Sequence, residues 1–498
     1  MKNAHSCWMA PERLVRITDF SARQGLKEKN LLSLQAEARD RVSALNTSAA
    51  LERFFTRAAD LPERARKLSK GAPDLALQIR QTARKIRDHR IDLLASGPLF
   101  FGRPIAWHSD IRSGYRWDPT LDYQAAPDGL DRLIETGGGV ELKAPWDLSN
   151  LHGLPTLTAA WGLDRDPAVL QAIEKDVTDW IEANPPFLGV NWYCAMNVAM
   201  RALSLLTTIA ALYPDLNPEF LRAVLTSLYL HAVRIGAHLE HGRGGQRNNH
   251  YLSDLIGLYF LGTLFRDTPA GSEWLAFSID ELEIEAGLQF HPDGVCIEDS
   301  TSYHRFSTEI LLLCAIQGEA AGRPFSTTFV DRLRKSLRFT LDILPSHHLI
   351  PQIGDNDNGR MLPLFGYQTL PGTDHRHILA LGGEFFDDDS LRRAGADARG
   401  DALWFLGRWT EPAADRPPQP TGLFSYADSG FHGLRDDLIL LLIHNNRIRP
   451  EHGGGHTHCD ALSFTLTLQD RDLFVDAGVW NYSADIDGRN DFRSTAYH

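Results

Sequence analysis

Three short stretches set proton-transferring side chains where loop turns into regular structure. In "QRNNHYLSDLIGLYFLG", residues 246 to 262, two amides and His250 stand directly against an apolar helical run. Asn248 or Asn249 suits the N-cap, which puts His250 in the first turn. The positive end of the helix dipole disfavours an imidazolium there, so His250 is expected to stay neutral and able to accept a proton. In "GVCIEDSTSYHRF" Ser300 or Thr301 is the corresponding cap, and Tyr303 falls in the first turn. The same field favours phenolate and pulls Tyr303 down from a reference pKa of about 10. Taken alone, each is more simply a packed side chain beside a cap, and Arg305 an ordinary solvated charge.

The third stretch is "EHGGGHTHCDALSF". In extended chain alternate residues share a face, so His456, His458 and Asp460 are expected to project together at the start of a strand. Glycines before them allow close approach of backbone or ligand. His-x-His is a common metal-ligand spacing, and "LFVDAG" brings Asp476. "PQIGDNDNGRM", residues 351 to 361, is rich in carboxylates and amides but lacks the EF-hand spacing with its glutamate at the twelfth position. It reads as a structural turn that braces a cleft.

Long elements must hold these groups. From about residue 30 to residue 408, runs such as "AMNVAMRALSLLTTIAALY", "LTSLYLHAVRIGAHLE" and "STEILLLCAIQGEAAG" repeat apolar residues at three- and four-residue intervals. Several are apolar nearly all round and need neighbours on both sides, as in a layered helical array. "TEPAADRPPQPTG", residues 410 to 422, reads as a linker, because its prolines neither continue a helix nor donate to a sheet. Beyond it "DDLILLLIHNN", "DALSFTLTL" and "DLFVDAGVW" read as short strands, the last two joined by the turn "QDRD". The division is a helical domain over 1–409, a linker over 410–422 and a β domain over 423–498. At 76 residues the β domain is small for an independent sheet unit, so it reads as truncated or as completed against the helices.

Composition narrows the partners. With 498 residues and 43% hydrophobic content the chain is globular and larger than one usual domain. A net charge of −13 gives no basic footprint for duplex nucleic acid. Five scattered cysteines argue against a disulfide framework and fit a reducing compartment. The N-terminus lacks the apolar core of a secretory signal, and no uncharged apolar run reaches membrane-spanning length. The expectation is no membrane insertion and a cytoplasmic protein as written, or a periplasmic one if a leader is missing.

In order along the chain, "IAWHSDIRSGYRWD", "APWDLSNLHGLPTLTAAW", "NPPFLGVNWYCAMNVAMRAL", "NNHYLSDLIGLYFLG", "EDSTSYHRF", "GDNDNGR", "GGHTHCDALSF", "FVDAG" and "RSTAYH" resemble the heparinase II/III superfamily of polysaccharide lyases, which includes oligoalginate lyases. The resemblance implies an α+β multidomain architecture: an N-terminal α/α toroid of helical hairpins, then an antiparallel β-sandwich, with the active site in the cleft between them. It implies Asn249, His250, Tyr303 and His456 as catalytic residues, and Asn248, Arg305, Glu298, Trp146 and Asn150 as substrate-binding residues. A structural zinc is implied on His458, Asp476 and His498, with no organic cofactor. The implied reaction is β-elimination at a linkage to a uronic acid in an anionic polysaccharide or oligosaccharide.

Some features depart from that pattern. Asn150 stands where the superfamily often has a basic residue, and Asn197 where it often has glutamate, which touches substrate identity rather than fold. A hairpin turning at Asp470 and Arg471 sets Asp476 opposite Thr465, seven residues from His458. That is roughly 23 Å on straight strands, so the chain must fold back before Ala461 for both to share a metal. Two other functions compete: a toroidal glycoside hydrolase using Glu298 and Asp355 as its carboxylate pair, and a non-catalytic polyanion-binding or exopolysaccharide-assembly protein.

Overall fold

Helices that are apolar on every side have no place at a surface, and in this chain they form the inner wall of a ring. The computed structural model describes residues 9–24, 30–93, 96–122, 140–241, 247–356, 358–364, 371–413, 421–445, 455–480 and 485–498. The inner helices Gly153–Asp164, Ala195–Leu212, Asn249–Leu264, Thr301–Ala320 and Arg376–Phe386 each pack on the next. The π-helical turn Ala402–Leu406 and the helix Leu61–Gly71 close the circle back to Gly153–Asp164. Outer helices Pro167–Ala183, Pro218–Ala237, Pro269–Leu288 and Thr327–Asp342 follow their inner partners as hairpins. This is the α/α toroid.

Local chemistry starts each outer helix. Asp166, Asn217 and Thr268 accept the first free N–H groups and are each followed by proline at the first helical position, which has no N–H to satisfy. At one close crossing of inner and outer helices, Gly262 lies against the backbone of Leu275, and a Cβ there would come within 2.5 Å of the Leu275 nitrogen. The helix Ala195–Leu212 is long and apolar enough to cross a bilayer, and 94% of it is buried inside this ring.

The β domain is a five-stranded antiparallel sheet in the order β3 (Gly422–Tyr426), β4 (Phe431–Arg435), β5 (Ile439–His444), β6 (Ser463–Leu468) and β7 (Arg471–Phe474). Strands β5 and β6 fall within their expected runs, while β7 starts at Arg471, in the expected turn, and takes up only Asp472–Phe474 of its run; β3 and β4 have no counterpart in the sequence reading, nor has the hairpin of β1 (Arg90–Asp92) and β2 (Pro98–Phe100) inside the helical part. Register puts Phe431, Leu440, Leu442, Thr465 and Thr467 on one buried face. Phe431 and Tyr426 from that sheet meet Phe339 of the helix Thr327–Asp342 edge to face. The opposite face carries exposed Leu434, Phe464 and Leu468, so the sheet is apolar on both sides, as a sandwich layer is. The centre of the proline-rich linker, 414–420, lies outside the described residues.

One expectation about strands fails. His456, His458 and Asp460 precede β6 in irregular chain and do not share a strand face. Leu462 adopts φ +68°, and the Ser463 N–H returns to the Asp460 carbonyl at 3.0 Å, so the chain reverses between Asp460 and Ser463. His456 and His458 turn inward to Asp355, while Asp460 is spent on His444 of β5 at 2.9 Å.

Candidate active site

Because the inner helices run the same way round the ring, their N-termini gather at one rim. A cleft of about 780 Å³ there is lined by Met196 and Asn197 from one helix start, Asn249 and His250 from the next, Tyr303 and Phe306 from a third, and His456 from the β domain. Trp146 and Asn150 line it too. Trp146 is fixed by its indole N–H donating to the Val190 carbonyl at 2.8 Å. Asn150, with its amide turned to satisfy both ends, donates to Asn197 at 3.1 Å, so the two departures from the superfamily pattern form one neutral pair. A cavity of about 870 Å³ under β1 is mostly aliphatic and contains none of the catalytic candidates.

Asn248 is the N-cap of its helix, accepting from the Tyr251 N–H at 2.9 Å, and so serves the backbone rather than the cleft. Asn249 follows as the first helical residue, nearly fully buried. Its amide donates to Glu298 at 2.8 Å and lies 3.5 Å from His456 Nε2. Glu298 also accepts the Asn249 backbone N–H, so it orients the amide. Ser300 caps the next helix, accepting from the Tyr303 N–H at 3.2 Å. The Tyr303 ring lies flat on His456, centroids 3.6 Å apart and planes 10° from parallel.

Arg305 is neither a solvated charge nor a substrate contact. It is 0% exposed inside the helix Thr301–Ala320 and donates to the Gly359 carbonyl, because two residues beyond Tyr303 the chain has turned to another side of the helix, one buried in the core.

His250 also departs from expectation. Its Nδ1 meets Glu240 at 2.9 Å and Cys194 Sγ at 3.9 Å. Burial draws the imidazole pKa down, but the contacts to Cys194 and Glu240 and the Glu240 charge outweigh it, leaving the pKa well above its ordinary value. A full carboxylate charge at hydrogen-bond distance overrides the fractional charge of a helix end. Glu240, from the loop after the helix Pro218–Ala237, carried no visible signal in sequence. Lys143, Met196, Met200 and Phe306 in the cleft wall were likewise missed.

The 351–356 segment braces the site as expected. Asp355 is 0% exposed and accepts from His456 Nδ1 at 3.1 Å, His458 Nε2 at 2.9 Å and Arg489 at 2.8 Å. Burial raises its pKa, and those three partners more than reverse this, holding the carboxyl far below its ordinary range. The Asp355 N–H donates to the His456 carbonyl at 3.0 Å, and Ser300 Oγ donates to the Asp355 carbonyl at 2.6 Å. Gly354, at φ +71°, allows this approach, since a Cβ there would sit within 2.9 Å of the His456 carbonyl. One loop thus ties the Tyr303 helix to the β domain. Asp357 lies outside the described residues.

The candidate metal ligands converge despite their spacing. Ligand atoms of His458, Asp476 and His498 lie within 4.8 Å of one another. His458 gives Nε2–H to Asp355, and His498 Nδ1 meets Asp476 at 2.7 Å. His458 Nδ1 and His498 Nε2 are buried with no partner among the described residues. Two orphaned imidazole nitrogens beside a carboxylate, one ring oriented by a further carboxylate, are a donor set that fits zinc.

Comparison with known proteins agrees with the geometry. Residues 135–364 match the family described as Heparinase II/III N-terminus, and residues 418–498 match the Heparinase II/III-like, C-terminal family. The chain belongs to the heparinase II/III superfamily. It is 23% identical over 371 residues to a heparin-sulfate lyase of Pedobacter heparinus, covering 71% of this chain and 51% of that protein. The superfamily fold recurs in the crystal structure of heparinase III, with TM-score 0.60 at 17% identity over 84% of this chain and 61% of that one. It recurs again in the heparan sulfate lyase HepC of Pedobacter heparinus, with TM-score 0.52 at 18% identity over 96% and 66% of the two chains. The chain thus spans about half the length of the curated heparin-sulfate lyase, 51%.

Proposed function

We propose that this heparinase II/III superfamily member is a polysaccharide lyase that cleaves a uronate-containing anionic polysaccharide or oligosaccharide by β-elimination, leaving a 4,5-unsaturated uronate end. The observation that carries the reading is the gathering of Asn249, His250 and Tyr303 at one rim, with His456 stacked on the tyrosine from the other domain. Three helix N-termini point at this cleft, so an anion is attracted locally although the chain carries a net charge of −13.

Removing a proton beside a carboxylate builds negative charge on that carboxylate. Asn249 supplies a donor for it: one amide hydrogen is held by Glu298, and the long 3.5 Å contact to His456 leaves the other able to transfer to substrate. Tyr303, starting as phenolate, takes the C5 proton and as phenol passes it to the departing O4 when both lie on one face of the sugar. The opposite C5 epimer needs a second group as base, a role that the raised pKa of His250 disfavours. The two-carboxylate hydrolase has no support in this geometry, because Asp355 is buried, ionised and fully engaged with His456, His458 and Arg489.

The test is ultraviolet absorbance during incubation with a panel of uronate polymers and oligomers. A rise that falls about 10²- to 10³-fold in kcat for Asn249→Ala is expected, the usual cost of losing one donor to a developing anion. New reducing ends without any absorbance would reject elimination.

Zinc is the proposed occupant of His458, Asp476 and His498, where it would fix the β-domain loop rather than act on substrate. Metal analysis of the purified protein is expected to find about one zinc per chain. Chelation is expected to lower the unfolding temperature, and His498→Ala to abolish both the zinc and the effect of the chelator.

A further inference from the structure

Glu240 is held more tightly than a passing contact to His250 requires. One carboxylate oxygen accepts the Ala195 N–H at 2.9 Å and the other the Met196 N–H at 3.1 Å, so the group sits on the N-terminus of the helix Ala195–Leu212. Cys194 Sγ donates to it at 3.3 Å, and its own backbone N–H is held by Asp254 at 2.6 Å. This anchored carboxylate meets His250 Nδ1 at 2.9 Å. Nδ1 is therefore the proton-bearing nitrogen on that side, and only Nε2 remains for the cleft that His250 lines.

Building on the lyase reading, we propose that Glu240 is the positioning residue that turns His250 Nε2–H into the cleft as a donor to the uronate carboxylate. Tyr303 is then the proton carrier, and the site takes uronates whose C5 hydrogen and O4 share a face. Those are sugars of gluco or manno configuration, in which one phenol oxygen reaches both atoms. Ido, gulo and galacto uronates place them on opposite faces and need a second group as base.

The charges around His250 agree. Burial pushes the Glu240 carboxyl up, but the bond and charge of His250 with the Met196 and Ala195 N–H groups bring it down to about 2. Asp254, behind it, is pushed well above the carboxylate range by burial and by Glu240, so it competes little for the proton of His250. Arg234 lies beyond that pair, and Lys143, Tyr303 and His456 face His250 across the cleft. Cys194, Glu240 and His250 also offer metal-ligand atoms within 4.8 Å of one another. Each is already matched donor to acceptor, however, and a helix N-terminus opposes a divalent cation.

The test pairs histidine ¹⁵N NMR titration of the full chain with turnover of defined oligomers. Glu240→Gln is expected to lower the His250 titration midpoint by at least about one unit and to move the alkaline limb of the kcat profile with it. kcat at neutral pH should drop by about 10-fold or more, while Glu240→Asp restores the profile. Wild type should release unsaturated ends from gluco or manno uronates at least about 100-fold faster than from their C5 epimers. An unchanged His250 titration in a folded Glu240→Gln protein overturns the dyad, as does zinc uptake that Cys194→Ser abolishes. Comparable rates on both epimers overturn the substrate assignment. The titration needs no substrate, so failure to cleave any uronate would reject the lyase reading while the dyad is still tested.

Discussion

Tyr303→Phe is expected to reduce elimination by about 10³-fold or more while leaving the unfolding free energy within about 1 kcal/mol of wild type. The change removes one oxygen and keeps the ring that stacks on His456 at 3.6 Å, so packing between the domains survives. What disappears is the proposed proton carrier, and positioned acid–base groups contribute about 10² to 10⁴ in rate. Where the phenol performs both transfers, the loss should fall at the upper end. The loss should appear in kcat, with KM nearly unchanged, because the donors that hold the carboxylate remain. Steady-state absorbance kinetics and urea unfolding on the same preparation check both halves. A variant that kept a tenth of the wild-type kcat would show that the phenol oxygen does not carry the proton.

The second large effect belongs to Asp355, a residue that touches no substrate. Asp355→Ala strips a buried anion from His456, His458 and Arg489 together. Breaking a buried charged pair by removing one partner costs about 3–5 kcal/mol, and here three partners lose their acceptor at once. Equilibrium unfolding is expected to show a loss of at least that size. Zinc retention should weaken by about 10- to 100-fold as His458 loses the carboxylate that orients its ring. Turnover should fall as well, since His456 loses the bond that sets its ring against Tyr303. Unchanged stability with unchanged zinc content would mean that the 351–356 loop does not join the two domains as described.

Much of this arrangement is legible in the chain, for identifiable reasons. The ring follows from helices such as Ala195–Leu212 and Asn249–Leu264, whose lack of a polar face leaves them only the interior. Asn248 and Ser300 are local capping signals, and they correctly place His250 and Tyr303 in first turns. The pairs Asp166-Pro167, Asn217-Pro218 and Thr268-Pro269 mark the outer helices and would have exposed the hairpin period had they been read as punctuation.

What could not be read is what loops bring together. Glu240 is ten residues from His250 with a helix start between them, and nothing periodic links the two. The expected neutrality of His250 failed for that reason: the dipole is a local property, whereas the opposing carboxylate arrives through tertiary packing. The estimate of roughly 23 Å between His458 and Asp476 assumed straight strands. A reversal at Leu462, φ +68°, removes that separation. The placing of His456 in one site with Tyr303 rested wholly on family resemblance, since 153 positions separate them, and their stacking was not foreseen.

The division of the cleft between two domains also bears on the timing of synthesis. Tyr303 leaves the ribosome about 150 residues before His456 and Asn249 and His250 about 200 before it, while Asp355 is made about 100 residues before the histidines it receives. A nascent chain can therefore complete the capped helix starts while the ring of Tyr303 still has no imidazole against it. On the proposed reading such a chain has only half of its site, and the cleft is complete only when the β domain docks and the Asp355 loop joins it.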